Sequence, residues 1–151
     1  MKDDDQVKAL KQETVGLLVA IAPRGWKRIF CDYEWHEGES SFVGSEVTIA
    51  VVRRLFGGID CVPLNLMDDG RVITNFQQIA LAAMKTNQSK HCTVDLIIRS
   101  NDDHEWHVDF SPPPRLTAKL AGDLEATYRN PELKKPYRKF AAQDEWLAKI
   151  R

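Results

Sequence analysis

Excess positive charge, long hydrophobic runs and paired cysteines are all missing from this 151-residue chain. Twenty-one Lys and Arg stand against 22 Asp and Glu, a net charge of −1, so the electrostatic footprint of a nucleic-acid binder is absent. The apolar stretch Val15 to Ala22 is too short to cross a bilayer, and the opening Met-Lys-Asp-Asp-Asp is acidic where a secretory signal is basic. These absences predict a cytoplasmic protein with no membrane partner. Cys31, Cys61 and Cys92 are odd in number and form no CxxC pair, which excludes a disulfide framework or zinc knuckle and predicts reduced, buried thiols. Neither G-x-S-x-G, a P-loop nor a dinucleotide glycine fingerprint occurs, so no cofactor is expected.

What is present is a clean succession of periods. Val7, Leu10, Thr14, Leu17, Leu18 and Ile21 form one stripe of an amphipathic helix over 4–22, closed by Pro23 and Gly25. The period then changes to two. Ile29, Cys31, Tyr33 and Trp35 alternate with Phe30, Asp32, Glu34 and His36, predicting a strand with one buried and one mostly polar face. A turn over 37–41 and a second alternation at Val47, Ile49 and Val51 make a hairpin. Pro63, inside the short run from Cys61 to Leu66, argues for an edge or irregular segment, because proline cannot donate to a ladder. A helix capped by Thr74 or Asn75 follows, with Phe76, Ile79, Ala80, Ala83 and Met84 as its stripe. Val94, Leu96 and Ile98, then Trp106, Val108 and Phe110, form a second hairpin around a polar link. After Pro112-Pro113-Pro114 the spacing of Leu116, Leu120, Leu124 and Tyr128 reads as helix. The order predicts one α+β domain over 1–151. Its mostly antiparallel sheet has four to five strands, with N-terminal, central and C-terminal helices packed mainly on one face.

Charge is sorted along the chain. Between Phe30 and Asp69 lie eight carboxylates (Asp32, Glu34, Glu37, Glu39, Glu46, Asp60, Asp68 and Asp69) against Arg53 and Arg54. Residues 111–151 hold nine Lys or Arg against five Asp or Glu. Gathered like charges repel unless something offsets them, and the usual offset is a partner of opposite sign. The expectation is therefore an acidic sheet face or rim that meets a cationic protein groove, such as one a nuclease uses for phosphates. An alternative is a small metal-dependent hydrolase built on Asp95, His107 and Asp109, with two cofacial side chains on one strand and a third on its neighbour. No catalytic residue and no metal ligand is expected under the first reading.

The residues Ala22-Pro23-Arg24-Gly25-Trp26, Phe30-Cys31-Asp32-Tyr33-Glu34-Trp35 and Trp106-His107-Val108-Asp109-Phe110, behind a leading amphipathic helix, resemble the YezG-like family of bacterial immunity proteins. That resemblance implies an α+β, non-enzymatic, cytoplasmic protein that neutralises a cognate polymorphic toxin, commonly a nuclease. The Pro112-Pro113-Pro114 segment, the helix between Asn75 and Gln88 and the basic C-terminal helices depart from the family pattern.

Overall fold

The computed structural model describes residues 2–37, 42–68, 70–101, 103–123 and 125–148. Five strands pair antiparallel in the order β3-β2-β1-β4-β5. They are β1 (Trp26–Glu37), β2 (Phe42–Arg53), β3 (Ile59–Pro63), β4 (His91–Arg99) and β5 (His104–Asp109). Helix α1 (Lys2–Ile21) precedes the first hairpin and α2 (Arg71–Asn87) lies between β3 and β4. After β5 the chain makes α3 (Pro114–Leu120), α4 (Ala126–Arg129), 3-10 turns at Pro131–Lys134 and Pro136–Phe140, and α5 (Glu145–Ala148). The α+β class with an antiparallel sheet agrees with the sequence pattern.

The two long helices share one face of the sheet, as the apolar stripes require. Leu18 of α1 and Val72, Phe76, Ile79, Ala80 and Met84 of α2 pack on Ile29, Cys31, Tyr33 and Trp35 of β1 and on Cys92, Val94, Leu96 and Ile98 of β4. Thr14 completes the stripe because its hydroxyl donates to the Leu10 carbonyl at 2.7 Å and leaves no open hydrogen bond in the core. Ile21, by contrast, is exposed. Gly44 stands opposite Trp35, where an added Cβ would sit 3.0 Å from Tyr33 Oη and 3.2 Å from the Trp35 ring, so the stacked Tyr33–Trp35 pair needs a residue with no side chain there.

The other face is where alternation misleads. Strand β1 is buried without interruption from Ile29 to Trp35, and β4 from Cys92 to Ile98. Such runs mean a strand covered on both sides. The cover is the chain's own C-terminal segment: Tyr137, Phe140 and Leu147 pack on Phe30, Ile49 and Ile97. Phe30 is the hub, with ring centroids 5.7 Å from Tyr137 edge-on and 5.9 Å from Phe140. The face that alternation assigns to solvent is therefore a second core with a charged border.

Element ends also move. Helix α2 begins at Arg71, ahead of the expected Thr74 or Asn75 cap, with Gly70 at its N-cap and no capping side chain. Val72 is already in the core and Asn75 is buried, so burial of the first turn extends the helix past its polar signal. Helix α3 stops at Leu120 because Gly122 turns the backbone to φ +83°, and Leu124 of the expected stripe lies outside the described residues. Strand β3 is an edge strand, as Pro63 requires. The bonds from Leu64 N–H to Thr48 O and from Arg54 N–H to Gly58 O set its alternation, so residues 59, 61 and 63 turn their backbone groups outward and the donor missing at Pro63 costs the sheet nothing.

Truncating the hub tests the two-core description. Phe30→Ala should cost about 3–5 kcal/mol in chemical denaturation. It should also expose the chain beyond residue 111 to limited proteolysis while α1 and α2 stay protected.

Candidate functional site

Strands β1 and β4 set Asp32 directly opposite Asp95 and, four residues along each strand, Arg28 directly opposite Arg99. Opposed like charges destabilise a ladder, and each pair is bridged here by an opposite charge from the C-terminal segment. Lys139 Nζ lies 2.6 Å from Asp95 Oδ2 and 3.4 Å from Asp32 Oδ2. Asp144 Oδ2 lies 3.1 Å from Arg28 Nε and 3.2 Å from Arg99 Nε. A third clamp comes from Arg115, whose Nη1 sits 2.7 Å from Asp32 Oδ1 and 3.1 Å from Glu34 Oε2. Its Nε donates to Ser45 Oγ at 3.0 Å and its Nη2 to the carbonyls of Ser45 and Asp32 at 3.1 and 3.3 Å. Glu34 in turn accepts from the Leu116 N–H at 2.9 Å, in the first turn of α3, where the helix has no capping side chain of its own.

Burial dictates the protonation of this cluster. Loss of hydration, and then the facing Asp32, push the Asp95 carboxyl far above the usual carboxylate range, against the pull of Lys139. Asp95 therefore keeps its proton at neutral pH, which lowers the negative charge buried beside Lys139. Burial also raises Glu34, while Arg115 and the Leu116 N–H draw it down. At Lys139 burial favours the neutral amine, but Asp95 and Asp32 more than offset it and hold the group above its ordinary value. At Asp144 burial is likewise overcome, by Arg28, the Trp146 N–H and Arg99, and the carboxyl titrates below its ordinary range.

The expected acidic surface is corrected by this geometry. Asp32 and Glu34 are fully buried beneath the basic C-terminal segment and present no charge to solvent. Glu46 stands opposite Tyr33, so it shares the α1/α2 face with Thr48, from which its carboxylate accepts a hydrogen bond, and lies on the far side of the sheet from Asp32 and Glu34. A strand register shifted by one residue relative to a shared acidic face produces this split. Glu37 is exposed at the end of β1 and Asp68 is exposed after β3. Asp60 is half-exposed and paired with Arg54. Glu39 and Asp69 lie outside the described residues. The carboxylates thus divide into an internal set and a dispersed external one.

The hydrolase constellation is closer in space than in chemistry. Asp95 stands opposite His107, and both line a cleft of about 430 Å³ with Asp109 and Lys139. Each is engaged elsewhere: Asp95 with Lys139, His107 with Glu105 at 3.0 Å and stacked on Phe140, and Asp109 with the Ser111 N–H at 2.8 Å. Among the described residues no three His, Cys, Asp or Glu are placed to hold a metal ion. Cys31 and Cys92 are buried as expected, and burial raises both thiols, Cys92 to about 12. Cys61 differs, being exposed on the outer strand β3.

Sequence reasoning singled out the carboxylates of β1 and missed their partners Arg115 and Lys139, and it passed over the clamp of Arg28, Arg99 and Asp144. A signal was present: an acidic first half and a basic last quarter in one near-neutral chain. A comparison with protein-family models finds no match, and one with curated proteins finds no significant relative. Among the described residues no helix is long and apolar enough to cross a membrane.

Two measurements probe the cluster. Arg115→Met leaves Asp32 and Glu34 buried without their principal cation, and the expected loss in denaturation free energy is about 3–5 kcal/mol. Asp95 binds its proton more tightly folded than unfolded, so its contribution is complete below the unfolded value of about 3.9 and declines as pH rises through neutrality. Asp95→Asn, which mimics the protonated acid, should flatten that decline and raise the melting temperature at pH 8 relative to wild type.

Proposed function

We propose that this chain is a non-catalytic binding protein of the bacterial immunity kind, which blocks a cognate protein toxin by occluding it. The observation that carries the reading is how the ionisable groups are disposed. Asp32, Glu34, Asp95, Arg115 and Lys139 neutralise one another around the covered face of the sheet, with both aspartates and Glu34 closed to solvent, so they serve the scaffold rather than a substrate. The residues that carry the family resemblance, Phe30 to Trp35 and Trp106 to Asp109, belong to β1 and β5 of that same scaffold. In this reading the toxin is a basic domain, commonly a nuclease, and the setting is the bacterial cytoplasm.

Contact is assigned to the far end of the β1–β2 hairpin. Among the described residues strand β3 pairs with the Ile49–Arg53 half of β2, and the outer edge of the first half of β2 has no strand neighbour. Exposed Glu37 and half-buried Glu46 lie in that part of the hairpin, where negative charge can steer a cationic partner.

The test is protection of cells expressing the toxin encoded beside this chain's own gene, together with association kinetics of the purified pair. Glu37→Lys should slow association several-fold at low salt, with the difference shrinking as salt is raised. Unchanged kinetics would remove this surface. A toxin left fully active by a stoichiometric amount of the chain, or turnover of any substrate by the chain itself, would remove the reading.

A further inference from the structure

Three pairs of like residues face each other across β1 and β4 at intervals of four: Arg28 with Arg99, Asp32 with Asp95, and His36 with His91. The first two pairs are each bridged by a group of opposite charge from the C-terminal segment, Asp144 and Lys139 respectively. The third has no such bridge. His36 and His91 instead line a cleft of about 250 Å³ with Pro112, Pro113, Leu116, Thr117 and Leu120, and of these five only Thr117 has a polar side chain. Beyond the ladder, His91 bonds to Ser89 through its backbone, and among the described residues no side-chain hydrogen bond or ion pair engages either imidazole.

We propose that His36 and His91 form a binding site for one divalent transition-metal ion, which bridges β1 and β4 beside α3 and the polyproline exit. The backbone favours it. The Glu37 N–H donates to the Lys90 carbonyl at 2.8 Å, which makes 37 and 90 a hydrogen-bonded pair and leaves 36 and 91 as a non-hydrogen-bonded one. In such a pair the Cα atoms lie about 4.5 Å apart and the side chains run closest together. The rings are near-parallel, with 15° between their planes and centroids 6.0 Å apart. Two imidazole nitrogens on one metal at about 2.0–2.1 Å put their ring centres roughly 4.5 to 6.5 Å apart as the angle at the metal opens. The observed spacing falls inside that range, so rotation of the rings brings a nitrogen of each onto one ion.

The donors select the class of metal. Imidazole suits zinc, copper and nickel, whereas magnesium and calcium take oxygen ligands. No carboxylate lines this cleft, and Glu34, two residues before His36 on the same face, is committed to Arg115 and the Leu116 N–H. Two protein ligands leave the other positions to water, for which the cleft has room. The affinity is accordingly that of a two-ligand site, well short of a structural zinc centre, with copper(II) bound most tightly. A bound ion does for the histidine pair what Lys139 and Asp144 do for the other two. The site is independent of toxin binding, and its test uses the chain alone.

The untagged full chain carrying Cys61→Ser, so that the exposed thiol takes no metal, is titrated calorimetrically with zinc, nickel and copper(II) at neutral pH. One ion per chain should bind and raise the melting temperature by several degrees, and magnesium and calcium should do neither. His36→Gln and His91→Gln should each weaken binding roughly tenfold or more. His107→Gln, whose ring is already bonded to Glu105, should leave binding unchanged. The electron paramagnetic resonance spectrum of the copper(II) complex should show two nitrogen ligands, a readout that does not depend on the stability of any histidine variant. Failure to bind at millimolar metal, full affinity in both His36→Gln and His91→Gln, or a copper spectrum with fewer than two nitrogens would overturn the proposal.

Discussion

Two carboxyl groups and two guanidinium groups face each other across the two central strands, and the C-terminal segment is placed by the groups that bridge them. Asp32 opposes Asp95 and Arg28 opposes Arg99 on the same side of the same ladder. Left to themselves these pairs would splay β1 from β4 or draw water onto the sheet. Lys139 and Asp144 enter from one short stretch of chain and resolve both pairs with opposite signs. That stretch can reach both only if Tyr137, Phe140 and Leu147 lie across Phe30, so electrostatics and apolar packing demand a single placement of the C-terminal segment. Buried ion pairs return little net stability once desolvation is counted. What they contribute here is position, because any other register of the segment leaves buried charges unmatched.

The same arrangement explains the charge sorting along the chain. An acidic first half and a basic last quarter read as a surface awaiting a cationic partner, and for Asp32 and Glu34 that partner is the chain's own Arg115 and Lys139. Burial and the facing Asp32 make Asp95 hold its proton, which reduces the negative charge this cluster must bury. Glu34 also supplies the N-terminal anchor that α3 lacks, which ties the polyproline exit to β1. Glu37 and Asp68 stay exposed and lie outside this internal balance.

Local signals read correctly wherever one neighbour decides the outcome. The stripe of α1, the two hairpins, the inward phase of Trp35 and the edge placement of Pro63 each follow from a period or a missing donor. Signals failed where a distant segment decides. The N-terminus of α2 sits earlier than its polar residues suggest because Val72 belongs to the core. Cys61, expected in the interior, lies outside because its strand is last in the sheet.

By itself the sequence determined the α+β class, the antiparallel hairpins and the absence of a disulfide framework, because these depend on side-chain period and composition over a few residues. Only the tertiary structure decided which face of β1 meets water. Alternation reports that the two faces of a strand differ, and it carries no information about what lies above either one. A polar strand face opposite a basic segment some 80 to 110 residues away becomes a buried, neutralised border of a second core, and that outcome depends on contacts no local window contains.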